Sequence, residues 1–284
     1  MIEIKSPLRY PGRKSRAIPQ IAQYLPSAFE EYREPFVGGG SVFLWLKQRY
    51  PKRRFWINDL NPEVYAFWIT TKQDSERFVR TIEHTKRTVT DGKALFAELA
   101  RQDTSQMSDF ERAVRFFILN RISFSGTVDS GGYSQKAFES RFTDSSIERL
   151  KPLSALLENV TVTNTDYRNV LQTSGEAVFS FLDPPYLTAT KSRLYGKDGV
   201  LHTTFNHDEF AAELRTNPHL WLVTYDDSPV IRRNFAFAHC YEWELQYGMK
   251  NYKQGSAAKG KELFLTNYPV TASQADKTLQ LTLL

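Results

Sequence analysis

Two kinds of apolar pattern alternate along this chain. Short apolar runs bounded by turn residues read as strands: Phe55-Trp56-Ile57, Val160 to Thr165, Val178 to Leu182, Leu220 to Tyr225, Tyr241 to Leu245 and Leu263 to Thr266. Another strand is expected through Glu34-Pro35-Phe36-Val37, just before Gly38-Gly39-Gly40. Helical spacing joins Ile18, Ile21, Ala22 and Leu25 ahead of Pro26, and again Val42, Phe43, Leu46 and Tyr50. Helices are also expected from Asp208 to Leu214 and from Pro229 to Phe235, and Asn61-Pro62-Glu63 reads as a cap with proline at the first helical position. Strands alternating with helices predict an α/β fold with a mostly parallel sheet.

Between about residue 70 and residue 159 the strand signal disappears. Ser108 and Glu111 have the spacing of a capping box, ahead of an apolar face made by Ala113, Val114, Phe117 and Ile118. A glycine- and serine-rich loop follows, from Ser123 to Gly132. The expected organisation is a discontinuous catalytic domain, residues 1–69 and 160–284, with a helical domain inserted at 70–159.

Composition narrows the class. The 284 residues carry 37 Lys+Arg against 32 Asp+Glu, a net charge of +5, which permits a polyanionic partner without requiring one. With 41% hydrophobic residues the chain can bury a sizeable core, so general disorder is excluded. A single cysteine, Cys240, excludes a disulfide framework and a thiolate-rich zinc site, and reads as a buried core residue. The opening MIEIKSPLRYPGRKS has no apolar signal-peptide core, and no apolar run approaches ~18 residues, so a cytoplasmic protein is expected. The five histidines show no ligand spacing, and no metal is expected.

Two motifs carry chemistry. The first is strand, glycine loop, helix, then an acid at the end of the next strand, with Asp59 lying 19 positions after Gly40. Glycines let backbone approach a ligand, and the acid can accept hydrogen bonds from ribose hydroxyls. Phe43 stands where a dinucleotide fingerprint needs its third glycine, which disfavours a nicotinamide cofactor and leaves a ribose-bearing cofactor without pyrophosphate. The second motif is Asp183-Pro184-Pro185-Tyr186, delivered at the carboxyl end of the apolar strand Phe179-Ser180-Phe181-Leu182, where open α/β sheets bind ligands. The prolines fix the backbone and leave carbonyls free to accept. Asp183 adds a carboxylate and Tyr186 an aromatic face, a set suited to a planar base with an exocyclic amino group.

In this order the motifs resemble a DNA adenine-N6 methyltransferase of the Dam type. Pro7-Leu8-Arg9-Tyr10-Pro11-Gly12-Arg13-Lys14 is similar to that family's N-terminal cofactor motif, and Glu34 to Phe43 to its glycine motif. The resemblance implies a Rossmann-like S-adenosylmethionine-dependent fold with an inserted helical target-recognition domain. It implies S-adenosylmethionine at Tyr10, Lys14, Phe36, Gly38, Gly40, Ser41, Asp59, Asp166 and Tyr167, with S-adenosylhomocysteine as product. Asp183, Pro184, Pro185 and Tyr186 become the catalytic residues, acting on an adenine flipped out of a short duplex site. Expected DNA-binding residues are Asn120, Arg121 and Ser125 in the helical block, Arg193 after the catalytic motif, and Lys250 and Lys253 in a basic loop. Double-stranded DNA is the expected partner, a cognate restriction endonuclease a candidate one, and a monomer in a prokaryotic or phage-encoded setting the expected state.

The chain departs from the family pattern at Arg13, where a second glycine is usual, and at Ser123 to Ser134, which lacks the basic residue found in members that read GATC. No GATC specificity is therefore expected. An RNA adenine-N6 methyltransferase, a DNA cytosine-N4 methyltransferase and a catalytically silent DNA-binding module are the alternatives. Lys47, Arg49, Lys52, Arg53 and Arg54 read as a solvated helix end rather than a DNA patch.

Overall fold

The computed structural model describes residues 3–10, 12, 14–128, 131–187, 205–246 and 259–270. Its centre is a seven-stranded sheet in the order β3-β2-β1-β4-β5-β7-β6. The strands are β1 (Glu31–Glu34), β2 (Arg54–Asn58), β3 (Val160–Thr163), β4 (Val178–Leu182), β5 (Leu220–Asp226), β6 (His239–Gln246) and β7 (Lys259–Thr266). From β3 across to β5 every pairing is parallel, and β7 runs antiparallel to both β5 and β6. The fold is the mixed α/β architecture with a mostly parallel sheet that the alternating pattern predicts. β1 and β4 lie side by side at the sheet's middle, with the crossovers leaving in opposite directions from that point. Open α/β sheets form their ligand crevice at such a switch, beyond the strands' carboxyl ends.

The first strand differs from its sequence expectation: it spans Glu31–Glu34, not residues 34–37. Pro35 has no amide to give the ladder, so the strand ends there and Phe36 and Val37 enter a turn. The strand's polar look hid it. Arg33 is buried, and its guanidinium meets the Glu31 carboxylate at 2.6 Å and donates to the Val170 carbonyl at 2.8 Å and the Ser174 carbonyl at 3.0 Å. Buried polar groups survive when paired in this way.

α1 (Ile18–Gln23) precedes the first strand, and α2 (Ser41–Arg49) and α3 (Pro62–Gln73) follow the first two; Asn61 caps α3 by accepting from the Glu63 amide, as its sequence predicts. The helical block contains α4 (Ser75–Thr88), α5 (Gly92–Arg101), α6 (Asp109–Ile122), α7 (Gln135–Arg141), α8 (Asp144–Glu148) and α9 (Leu153–Leu157). The Ser108–Glu111 capping box is present at the start of α6. Among the described residues this block holds no strand longer than the isolated Ser123–Tyr133 bridge. Its core is continuous with that of the sheet: Phe67 on α3 stacks on Phe117 of α6 at 6.2 Å between centroids, and Phe78 of α4 meets the same ring at 6.0 Å.

Cys240 is exposed, not buried: it lies on β6, an edge strand of the sheet. The basic run is used locally. Lys47 is buried and donates to the Pro51 carbonyl, Arg53 lies over the rings of Phe29 and Tyr50, and Arg54 pairs with Glu31. No helix among the described residues is long and apolar enough to cross a membrane.

Candidate functional site

β1, β2 and β4 end together, and the chain turns sharply after β1. The Val37 amide donates to the Asn58 carbonyl at 2.9 Å and the Gly40 amide to the Val37 carbonyl at 2.7 Å, closing a tight turn that opens α2. Gly38 and Gly40 both have positive φ, +44° and +63°, where a side chain is strained. A Cβ at Gly40 would come within 2.4 Å of the Trp68 ring, and one at Gly38 within 2.7 Å of the Tyr10 ring. Tyr10 and Trp68 thus floor the glycine turn, and the Trp68 indole N–H donates to the Gly38 carbonyl at 3.0 Å.

Asp59 sits across from this turn. One carboxylate oxygen accepts from the Gly38 amide at 2.8 Å and the other from the Asn61 amide at 2.9 Å. Desolvation at the strand ends pushes its pKa up to about 6, against the lowering effect of those two amides. Asn58 staples β2 to its neighbours by donating to the carbonyls of Pro35 and Thr165. Glu34, beneath the turn, is buried and accepts from the Tyr32 hydroxyl at 2.6 Å. Burial first, then the charges of Asp183 and Asp59, carry its pKa up to about 8. The three acids thus share one neighbourhood.

Beside the turn lies an aromatic group. Phe36 packs on Tyr167 at 5.5 Å, on Phe205 at 5.8 Å and on Phe210 at 5.9 Å between ring centroids. Tyr167 opens α10 (Tyr167–Gln172), capped by Asp166, whose carboxylate also pairs with Arg168. Among the described residues the buried Tyr167 hydroxyl has no hydrogen-bond partner, nor does that of Ser41 at the head of α2. Burial pushes the Tyr167 hydroxyl up to about 12.

Asp183 follows β4 directly. Its Oδ1 accepts from the Thr224 hydroxyl at 2.6 Å, and the Lys14 ammonium lies 2.7 Å from Oδ1 and 2.8 Å from Oδ2. The same ammonium stands 4.9 Å from the centroid of the Tyr186 ring. Tyr186 donates from its hydroxyl to Glu262 at 2.9 Å, and the next amide, of Leu187, donates to Asp226 at 3.1 Å. The carboxyl ends of β1, β2 and β4 therefore bring together a glycine turn, a buried acid opposite it, an aromatic group and a carboxylate beside a second aromatic face.

A family model described as D12 class N6 adenine-specific DNA methyltransferase matches residues 10–249. The chain belongs to that family. The Lactococcus lactis subsp. cremoris type II methyltransferase M1.LlaDCHI is 23% identical over 94% of this chain and 96% of its own. The type II methyltransferase M.MjaIII of Methanocaldococcus jannaschii is 26% identical over 67% and 72%. The DNA adenine methylase of Salmonella typhimurium is 23% identical over 95% and 98%. This D12-class protein is thus an adenine-specific DNA methyltransferase, and methyltransferase chemistry implies use of S-adenosylmethionine.

The expected site residues do not all lie where sequence reasoning put them. Tyr10, Phe36, Gly38, Gly40, Ser41, Asp59 and Tyr167 gather around the turn, and Asp166 caps the helix that Tyr167 opens. Lys14 lies against Asp183. Asn120 is not on the surface: its side chain is fully buried, accepting from the Arg9 amide at 2.9 Å and donating to the carbonyls of Arg9 and Gly126. Arg121 is also buried, its guanidinium 5.2 Å from the Phe117 ring centroid. The sequence offers this amide and guanidinium beside a loop as DNA contacts, whereas in the fold both are buried and the amide ties the helix end to the N-terminal loop. Ser125 is partly exposed with φ +56° in a turn, and beside it Phe124 is 65% exposed, an apolar ring on a polar loop that sequence reasoning passed over. Arg193, Lys250 and Lys253 lie outside the described residues, as does Arg13.

Proposed function

We propose that this D12-class enzyme methylates N6 of an adenine flipped out of a short duplex DNA site, with Asp183 and Tyr186 receiving the base. The observation that carries this reading is the placement of Asp183 at the end of β4, beside the ring of Tyr186 and the Lys14 ammonium. An adenine amino group is a poor nucleophile because its lone pair is delocalised into the ring. Hydrogen bonds from N6–H to the Asp183 carboxylate and the Pro184 carbonyl favour a more tetrahedral nitrogen. They also stabilise the positive charge that grows on N6 as it attacks, the electrostatic contribution usually worth most. Pro185 keeps this stretch rigid, Tyr186 stacks on the flipped ring, and fixing both substrates in line adds proximity.

The fit to S-adenosylmethionine rests on the glycine turn, the acid opposite it and two orphaned hydroxyls. Gly38 and Gly40 present a turn free of side chains, the Ser41 hydroxyl follows it, Tyr10 backs it, and Asp59 keeps lone pairs for ribose hydroxyls. Phe36 and Tyr167 offer an aromatic wall, with the unpartnered Tyr167 hydroxyl and the Asp166 carboxylate as polar contacts for the adenine moiety. Bound there, the cofactor supplies an electrophilic methyl on a sulfonium. Residues 70–159 would read the DNA, with Ser125 and the exposed Phe124 at the contact, and residues 1–69 and 160–284 would form the catalytic part. Exposed Phe124 suits contact with bases rather than phosphates, since an apolar ring gains nothing from an anion.

Methyl transfer to duplex DNA and cofactor binding, measured on wild type and Asp183→Ala, test the assignment. The variant should lose turnover by at least about a hundredfold while binding S-adenosylmethionine near normally. Near-normal turnover in Asp183→Ala would refute the role given to this carboxylate.

A further inference from the structure

The segment Asp183 to Leu187 is anchored from neighbouring strands. Leu182 pairs with Val223, so Asp183 comes to lie beside Thr224, and Thr224 is wholly buried. Its hydroxyl reaches Asp183 Oδ1 at 2.6 Å. Two positions on, Asp226 accepts the Leu187 amide at 3.1 Å, and its register partner across the β5–β7 ladder is Glu262. Glu262 is 2% exposed and takes the Tyr186 hydroxyl at 2.9 Å. Three polar residues, two on β5 and one facing them on β7, therefore each hold a different group of the catalytic segment.

We propose that Thr224, Asp226 and Glu262 are positioning residues: Thr224 sets the rotation of the Asp183 carboxylate, and Asp226 with Glu262 fixes the Tyr186 ring. The inference rests on the reading of Asp183 and Tyr186 as the groups that receive the base. A carboxylate turns freely about its last bond, and an amino group can use it only when a lone pair points along the incoming N–H. Thr224 and Lys14 together occupy Oδ1, while among the described residues Oδ2 takes only Lys14. Oδ2 is thus the oxygen turned to the incoming amine, and the Thr224 hydroxyl, shut away from water, keeps it so. At the far end of the segment the Tyr186 ring is held at its hydroxyl by Glu262 and at the following amide by Asp226, which fixes the plane offered for stacking. The bland alternative is that β-branched threonine simply suits a strand and its hydroxyl takes the nearest acceptor. Valine fills the same space in the strand without the hydroxyl, so it separates the two.

The experiment compares wild type, Thr224→Val, Thr224→Ser and Asp183→Ala in single-turnover methyl transfer, with S-adenosylmethionine affinity and Tm measured on each. Thr224→Val should lower the methyl-transfer rate by about tenfold to a hundredfold, with cofactor affinity unchanged. Thr224→Ser should recover most of the rate, which a packing role would not produce. If Thr224→Val does not fold, Thr224→Ala is held to the same criteria. A folded variant lacking the hydroxyl, with a rate within twofold of wild type, overturns the role of Thr224, and Asp183→Ala then tells which reading has failed. An inactive Asp183→Ala leaves the site assignment standing without its support, whereas an active one removes both. For the Tyr186 anchor, Glu262→Leu and Tyr186→Phe should each weaken the fluorescence rise of 2-aminopurine placed at the target position. The double variant should be no worse than either alone, and additive losses would show that Glu262 does not act through the Tyr186 hydroxyl.

Discussion

Glu34 is a carboxylic acid shut inside the molecule, beneath the glycine turn and in the field of Asp183 and Asp59, with its pKa carried up to about 8. Its ordinary value is near 4.5, so the folded protein holds a proton that the unfolded chain has released. The contribution is complete below pH 4.5 and is lost as pH rises toward about 8, so stability falls across that window. Asp59, pushed up to about 6, adds to the slope at its acid end. Glu34→Gln keeps a group of the same shape without the titration. Its Tm should hold up better than wild type's between about pH 6 and pH 8, leaving the acid-side slope that Asp59 causes. Parallel Tm profiles for the two proteins would show that Glu34 does not carry the proton. Residues of this kind were invisible in the sequence. Glu34 looked like the start of a strand, and nothing in its neighbours announced that Tyr32 would seal it.

Two elements show where pattern reading succeeds and where it stops. The turn at Gly38 to Gly40 was legible because glycines before a helix carry their own geometry. What the sequence did not convey is the contact that enforces it, the Trp68 ring where a Gly40 side chain would go. Gly40→Ala meets both the positive φ and this buried indole, and should destabilise the protein by about 2 kcal/mol or more in a denaturant melt. A loss below about 0.5 kcal/mol would mean that the turn relaxes freely. The end of α6 is the opposite case. Asn120 and Arg121 lie in a segment that resembles part of a recognition domain, yet the side chains point into the fold. Arg9 donates to the carbonyls of Arg121 and Ser123, and Asn120 returns hydrogen bonds to the Arg9 backbone, tying the N-terminal loop to the helix end. Gly126 belongs to this clasp, since a Cβ there would fall 2.2 Å from the Arg9 carbonyl oxygen. Asn120→Ala strands these groups in a buried place and should cost about 1–3 kcal/mol, with DNA affinity reduced no more than stability explains. A selective loss of DNA binding at unchanged stability would return Asn120 to the DNA-contact set.

Across the whole molecule, periodicity located nearly every strand, because buried parallel strands are apolar runs and β4 in particular is buried at each position. The reversal of β7 between β5 and β6 left no mark on the apolar pattern, since pairing direction depends on partners distant in the chain. The helical block was also legible, but its separateness was not. Phe67, Phe78, Phe116 and Phe117 form one core with the sheet, and Glu63 of α3 joins Arg112 and Arg115 of α6 at 3.1 and 3.2 Å in a largely buried triad. Such a shared core predicts one cooperative thermal transition for the apoprotein, and two resolved transitions by calorimetry would mark the block as an independent domain.

The measurement that bears most directly on the whole reading is a map of modified bases. Wild type and Asp183→Ala would each be expressed in a host without DNA methylation of its own, and the host genome read by single-molecule sequencing. The expected result is N6-methyladenine at one recurrent short sequence with the wild-type protein and none with the variant. Methylation that persists in Asp183→Ala, or a wild-type genome without N6-methyladenine from folded protein that binds S-adenosylmethionine, would contradict it.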